Sequence, residues 1–149
     1  MDELSKEILK GWHVLAVDDD PKSLDIVTTL LRLYGANVYS AQNGKEGILM
    51  AREHQPDLII TDLSMPEIDG WALIQTLKQD RVTLEIPIIA LTAHAMRGDR
   101  TRAIAAGCHN HLQKPLTPYT FIKDLLSLLL DIPEFEARLQ NSNIYKSHS

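Results

Sequence analysis

Five short apolar segments recur along the chain, and each is followed by a turn signal and then by a pattern typical of a helix. The third and fourth segments are almost uninterrupted runs of apolar residues, which is typical of parallel strands covered by helices on both faces. The predicted strands are His13–Val17, Asn37–Ser40, Leu58–Thr61, Ile88–Leu91 and His111–Gln113. The pattern therefore predicts an α/β fold with a doubly wound, five-stranded parallel sheet.

The first predicted helix has well-marked ends. Asp20 can cap it, Pro21 fits its first turn, and Gly35 follows its last turn. Further helices are predicted near Gly44–Glu53, Gly70–Gln79, Asp99–Ala106 and Pro118–Leu130. Because the pattern stops after Leu130, we predict an N-terminal leader at 1–11, one domain at 12–131 and a polar C-terminal tail at 132–149.

Composition supports one globular domain, since the 149 residues are 44% hydrophobic and 23% charged. A single cysteine cannot supply a disulfide framework. The net charge of −5 argues against a DNA-binding surface or an anionic membrane surface. The chain begins without a secretory signal and has no apolar run near the roughly 20 residues that a membrane span needs. We expect a cytoplasmic protein that binds neither DNA nor membrane.

Carboxylates follow two of the predicted strands. Asp18, Asp19 and Asp20 come after the first strand, and Asp62 comes after the third. With the common strand order 2-1-3-4-5, these two strands are neighbours at the topological switch point, where ligands bind beside the carboxyl ends. We therefore expect the acidic side chains to converge.

Ionised carboxylates that share one crevice repel each other, so either one of them stays protonated or a bound cation neutralises them. Oxygen ligands without His or Cys favour Mg²⁺, for which Mn²⁺ can substitute. The alternative is that Asp18, Asp19 and Asp20 only cap the following helix, and Asp20, next to Pro21, is the best cap among them.

Two other strand ends carry groups that suit a phosphoryl ligand. Thr92 follows the fourth strand and Lys114 follows the fifth, immediately before Pro115. A hydroxyl and an ammonium can each bind one phosphoryl oxygen and leave a third oxygen for a metal ion. Taken alone, Thr92 is most often an ordinary turn residue and Lys114 part of a solvated loop, but their occurrence together in this order favours a phosphoryl site.

The order and spacing of these motifs resemble the receiver domains of two-component response regulators, the CheY-like superfamily with a flavodoxin-like fold. The resemblance covers about Trp12 to Leu130. The motifs that carry it are Val17–Pro21, Pro56–Asp62, Met65–Gly70, Pro87–Ala93 and Gln113–Pro115. We expect a stand-alone receiver of the single-domain type.

The resemblance implies that Asp62 is the phosphoacceptor, which needs no base because its carboxylate is already ionised at neutral pH. It implies that Asp18 and Asp19 hold Mg²⁺ together with Asp62 and the backbone carbonyl of Ser64. Ser64 and His94, each two positions beyond a site residue, would flank the water that hydrolyses the acyl phosphate.

The family also implies a switch, in which Thr92 moves toward the phosphoryl group and frees space behind the fourth strand. His111 stands where the family usually has Tyr or Phe, so a weaker or pH-sensitive switch and a simple half-buried edge residue both stay open. The bond between Lys114 and Pro115 is a candidate cis peptide, which would aim the lysine into the site.

The implied partners are a sensor histidine kinase or a histidine phosphotransfer protein, and an unknown downstream protein. The downstream partner would bind the face made by the fourth predicted helix, the fifth strand and the fifth predicted helix, between about Asp99 and Leu130.

Two other functions compete with this interpretation. The D-x-D spacing of Asp18 and Asp20 also occurs in haloacid-dehalogenase-like phosphatases, where Asp18 would be the nucleophile. That hypothesis leaves Asp62 without a role and finds no acidic pair after Lys114. A scaffold that is never phosphorylated would be expected to lack a site residue, and none is missing.

Overall fold

The computed structural model describes residues 6–63, 70–92, 110–113, 117 and 120–140. It contains a five-stranded parallel sheet in the order β2-β1-β3-β4-β5. The strands are β1 (His13–Val17), β2 (Asn37–Ala41), β3 (Leu58–Asp62), β4 (Ile88–Thr92) and β5 (Asn110–Gln113). The described helices are α1 (Pro21–Leu33), α2 (Gly44–His54), α3 (Gly70–Lys78), α4 (Phe121–Leu129) and α5 (Pro133–Gln140). The predicted α/β class and strand order are confirmed.

Alternating side chains of the strands supply two apolar cores, one on each face of the sheet. Val14 and Ala16 of β1 pack in the core that includes α1 and α4. Leu15 and Val17 pack in the opposite core, with α2 and α3. Coverage on both faces explains why the central strands lack the alternation of apolar and polar residues that a half-exposed strand shows.

The ends of α1 follow the predicted chemistry. The carboxylate of Asp20 accepts hydrogen bonds from the Lys22 amide at 3.1 Å and from the Ser23 hydroxyl at 3.0 Å. Pro21 occupies the first turn, where a missing N–H costs nothing. Gly35 has a φ of +100°, and its bare Cα lies against the backbone of Lys10, whose amide nitrogen would be 3.1 Å from an added Cβ. Glycine is therefore required there by conformation and by space.

The structure differs from the prediction after Leu130, where we expected the regular pattern to stop. Residues Pro133–Gln140 form helix α5, and Ile132, Phe135 and Leu139 are buried. These apolar positions are three and four residues apart, which is the spacing of one helix face. The expectation of a plain polar tail is thus wrong for 132–140.

The segment before β1, predicted as a leader, also contributes to the core. Ile8, Leu9 and Trp12 are buried, in the same core as Phe135. The Leu9 amide donates to the Tyr34 carbonyl at 2.9 Å, which ties this segment to the end of α1. Segments from both flanks therefore pack together at the amino end of β1.

The predicted helix at Asp99–Ala106 lies outside the described residues, so that prediction stays untested. Among the helices that the structure does describe, none has both the length and the apolar character needed to cross a membrane.

Candidate functional site

Three carboxylates meet where β1 and β3 end. Asp18 and Asp19 directly follow β1, and Asp62 is the last residue of β3. Val17 pairs with Thr61 across these neighbouring strands, so the two chains reach the same edge of the sheet together. Oxygen atoms of the three side chains all lie within 4.8 Å of one another. The predicted convergence of these acids is confirmed.

The three acids differ in their exposure to solvent. Asp18 is 1% exposed and Asp62 is 4% exposed, whereas Asp19 is open to solvent. Two carboxylates held near each other away from water are costly unless positive charge compensates them. The exposed third carboxylate leaves the cluster accessible from solvent. The arrangement therefore favours binding of a cation that enters from the carboxyl edge of the sheet.

The backbone beside Asp18 orients its carboxylate. One oxygen accepts a hydrogen bond from the Asp20 amide at 2.9 Å, and the Asp18 amide donates to the Ala41 carbonyl of β2 at 3.1 Å. The side chain of Asp20 takes part in the α1 cap. Two aspartates that are close in sequence therefore have different structural roles. Asp18 is part of the acidic cluster, whereas Asp20 caps α1.

The peptide that carries Asp62 is held on several sides. The Thr61 hydroxyl donates to the Asp62 carbonyl at 3.1 Å, and the Leu63 amide donates to the Leu91 carbonyl of β4 at 3.1 Å. The Gly70 amide, at the start of α3, donates to the Leu63 carbonyl at 3.1 Å. Leu63, which follows β3, and Gly70, which begins α3, thus both lie at the peptide that carries the third acid.

Thr61 and Gly70 were not assigned a role from the sequence. Thr61 is fully buried and ends a run of apolar strand residues, where a β-branched Thr is an ordinary strand former. The feature of the sequence that could have indicated its role is that Thr61 is the single hydroxyl residue in that run, directly before Asp62. In the sequence Gly70 stands out only as part of a motif, because its close approach to the backbone of Asp62 depends on the fold.

The donor set fits a hard divalent cation. Carboxylate oxygens are the ligands that Mg²⁺ prefers, and it commonly binds one or two carboxylates and keeps several waters. Within the described residues, Asp18, Asp19 and Asp62 form the group of potential metal ligands that lie close enough together to share an ion. Their chemistry and burial are compatible with the predicted Mg²⁺.

The other predicted site residues are described only in part. Thr92 is the last residue of β4, the strand in which Leu91 pairs with Asp62, so its backbone reaches the same edge. His111 lies in β5 and pairs with Ala90. The remaining predicted residues, Ser64, His94, Lys114 and Pro115, lie outside the described residues.

Comparison with known proteins gives a consistent result. The family model described as "Response regulator receiver domain" matches residues 14–126, a range that excludes Trp12 and Phe135. The polar-differentiation response regulator DivK of Brucella anthropi is 36% identical over 118 residues, which cover 79% of this chain and 96% of that protein.

Solved structures agree with this result. The chemotaxis protein CheY4 of Vibrio cholerae superimposes with a TM-score of 0.74 at 30% identity, covering 79% of this chain and 98% of that one. A response regulator from Chloroflexus aurantiacus, described as putative, superimposes with a TM-score of 0.73 at 29% identity, covering 80% and 98%. The likeness spans nearly the whole of each solved chain.

Proposed function

The chain belongs to the response regulator receiver family, whose function is phosphoacceptor signalling in two-component systems, and we propose that Asp62 is its phosphoacceptor. The observation that carries the proposal is the convergence of Asp18, Asp19 and Asp62 at the carboxyl edge of β1 and β3. Of the three, Asp62 is the acid that is both buried and at the end of a strand, on the peptide held by Thr61 and Leu63.

In the proposed reaction a carboxylate oxygen of Asp62 attacks the phosphorus atom of the donor in line with the bond that breaks. A P–O bond to Asp62 forms as the bond to the donor breaks, which is P–N for a phosphohistidine and P–O for acetyl phosphate. The leaving group departs with the electron pair. No proton has to leave Asp62, because a carboxylate is the nucleophile.

Asp18, Asp19 and Asp62 would hold Mg²⁺ or Mn²⁺, with the backbone carbonyl of Ser64 as a further ligand. These residues would thereby place positive charge, supplied by the ion, beside the phosphoryl oxygens during transfer. Asp19, the exposed acid, is the more accessible ligand for an ion that arrives from solvent.

Thr92 and Lys114 complete the proposed site. The Thr92 hydroxyl would donate to one phosphoryl oxygen and the Lys114 ammonium would bind another, with a cis peptide before Pro115 aiming the lysine. The position of Thr92 at the end of β4, beside β3, supports this assignment. Ser64 and His94 would flank the water that later hydrolyses the acyl phosphate.

As a receiver, the protein signals through contacts rather than by turnover of a substrate, although it assists its own phosphorylation and dephosphorylation. Its family implies a histidine kinase or phosphotransfer protein as phosphoryl donor. The proposed output is a change at Thr92 and His111 that alters the face between about Asp99 and Leu130, where a downstream protein binds in the cytoplasm.

The phosphatase alternative is weakened by the α1 cap. It would use Asp18 as nucleophile and Asp20 as its acidic partner, but Asp20 accepts from the Lys22 amide and the Ser23 hydroxyl at the start of α1. The scaffold alternative predicts no phosphorylation at all. A single experiment separates all three hypotheses.

The full chain is incubated with Mg²⁺ and acetyl phosphate, and its intact mass is measured. We expect wild type to gain one phosphoryl group and Asp62→Asn to gain none. Asp25→Asn makes the same chemical change at an exposed position of α1 and should behave as wild type. No gain by wild type in the presence of bound Mg²⁺ would support the scaffold, and loss only with Asp18→Asn, together with turnover of a phosphomonoester, would support the phosphatase.

A further inference from the structure

We propose that Thr61 and Gly70 are positioning residues that fix the peptide of the phosphoacceptor, so that its carboxylate faces Asp18 and Asp19. The inference rests on the proposed function, because it concerns how Asp62 is held for phosphoryl transfer. Neither residue belongs to the acidic cluster or is expected to touch the phosphoryl group. Both act on the backbone of Asp62.

Gly70 is constrained by space. A Cβ added to it would lie 2.2 Å from the Asp62 carbonyl oxygen and 2.5 Å from the Leu63 Cα. Both atoms are backbone, so they cannot move aside as the end of a flexible side chain can. The gap would have to open by about 1 Å to restore an ordinary contact, which would move either α3 or the acceptor peptide.

Gly70 also makes a hydrogen bond to the segment that carries Asp62. The Gly70 amide donates to the Leu63 carbonyl at 3.1 Å, although a helix N-terminus ordinarily leaves its first amides without a partner inside the helix. The start of α3 is therefore docked onto the peptide that follows Asp62. Any side chain at position 70 disturbs this bond as well as the packing.

Thr61 acts from the other side of the same peptide. Its hydroxyl donates to the Asp62 carbonyl at 3.1 Å, and the residue is fully buried. This carbonyl oxygen is the atom that a Cβ on Gly70 would strike. The Asp62 carbonyl oxygen is thus restrained from two elements, by the Thr61 hydroxyl of β3 and by the close approach of Gly70 of α3.

The position of the Asp62 peptide affects the geometry of the cluster because the three acids come from different strands. Asp18 and Asp19 follow β1, whereas Asp62 ends β3, so a shift of its peptide changes its distance to the other two acids. In-line transfer is sensitive to such shifts, and a misplacement of about 1 Å can cost on the order of 100-fold in rate. Loss of one orienting hydrogen bond should lower the rate of transfer by less, about tenfold.

The test measures the rate of phosphorylation by acetyl phosphate at saturating Mg²⁺, with the thermal midpoint of each variant measured in parallel. Thr61→Val keeps the shape of the side chain but removes the hydroxyl, and we expect a rate about tenfold lower. Thr61→Ser restores the hydroxyl and should recover the rate to within about twofold, whatever it costs in stability. Rescue by serine distinguishes positioning from simple packing.

Gly70→Ala should lower the rate by on the order of 100-fold in folded protein. Gly47→Ala is the matched control, since Gly47 is also a buried helical glycine, but its nearest contacts are side-chain atoms of Val17 at 3.1 and 3.3 Å. It should retain the wild-type rate to within about twofold.

Wild-type rates in both folded Thr61→Val and folded Gly70→Ala would overturn the inference, as would equal losses in Thr61→Val and Thr61→Ser. If Gly70→Ala does not fold, the two Thr61 variants decide the outcome alone. Failure of wild type itself to accept phosphate would instead contradict the proposed function, so the two failures are distinguishable.

Discussion

The ring of Phe135 packs against the ring of Trp12, with their centroids 4.7 Å apart and their planes tilted by 43°. This contact joins helix α5 to the residue directly before β1. Both rings are almost fully buried, in the core that also contains Leu9 and Leu139. The two flanking segments are therefore part of one packed structure.

Phe135→Ala should lower the free energy of unfolding by about 3 kcal/mol, because it removes a buried aromatic ring and leaves a cavity beside Trp12. Urea unfolding followed by circular dichroism measures the change. Leu49→Ala is the control, since Leu49 is 60% exposed, and it should cost no more than about 0.5 kcal/mol. A Phe135→Ala loss as small as the control would show that α5 adds nothing to stability.

Mg²⁺ should stabilise the folded protein through the acidic cluster. At a concentration of 100 times its dissociation constant, a ligand that binds only the folded state stabilises it by about 2.7 kcal/mol. Asp18→Asn should abolish this rise in stability and also relieve repulsion in metal-free protein. Thermal unfolding with Mg²⁺ and with a chelator tests both effects, and a Mg²⁺ response that survives Asp18→Asn would place the bound ion elsewhere.

Asp20→Ala should cost about 1 kcal/mol of stability, because it removes the cap of α1, while phosphorylation persists. Asp20→Asn keeps a side-chain oxygen for the Lys22 amide and should retain most of the stability. Chemical denaturation and the acetyl phosphate assay are run on both variants. Loss of phosphorylation in folded Asp20→Asn would mean that Asp20 takes part in the chemistry.

Arg52 and Asp80 form an ion pair between α2 and the turn after α3. Asp80 also accepts a hydrogen bond from the Val82 amide at 2.9 Å, whereas the Arg52 side chain is 53% exposed. Arg52→Gln should therefore change the free energy of unfolding by less than about 1 kcal/mol, and Asp80→Ala should cost more. Equal losses would assign the whole effect to the ion pair.

Ser64 and His94 should control how long the acyl phosphate lasts. Ser64→Ala and His94→Ala are each expected to change the rate of dephosphorylation while leaving phosphorylation by acetyl phosphate intact. The decay of purified phosphoprotein, followed by intact mass in Mg²⁺ buffer, measures the lifetime. Unchanged decay in both variants would refute the assignment of the water-flanking positions.

Much of the fold follows from local pattern. The two apolar central strands, the cap at Asp20 and the positive φ of Gly35 all depend on residues close together in sequence. The convergence of Asp18 and Asp62 could be predicted as well, because strand order alone brings the ends of β1 and β3 together.

The structure adds features that depend on distant partners. Phe135 and Leu139 are the buried apolar residues of α5, and the ring of Phe135 packs against Trp12 near the other end of the chain. The link between Thr61, Gly70 and the Asp62 carbonyl likewise joins β3 to a helix that begins eight positions later. Local periodicity marks the apolar face of α5, but it identifies neither the residue that covers this face nor the approach of Gly70 to the Asp62 carbonyl.

The chain has two tryptophans, and they lie at different depths beside different parts of the sheet. Trp12 is 2% exposed and precedes β1, whereas Trp71 is half-buried and directly follows Gly70, near the acidic edge. At about 3.3 Å per strand residue, β1 separates Trp12 from Asp18 by roughly 17–20 Å. Intrinsic fluorescence therefore offers two separate reporters. The emission of Trp12→Phe should respond to a metal ion or phosphoryl group at the acidic edge, and the emission of Trp71→Phe should respond to loss of the contact between Trp12 and Phe135.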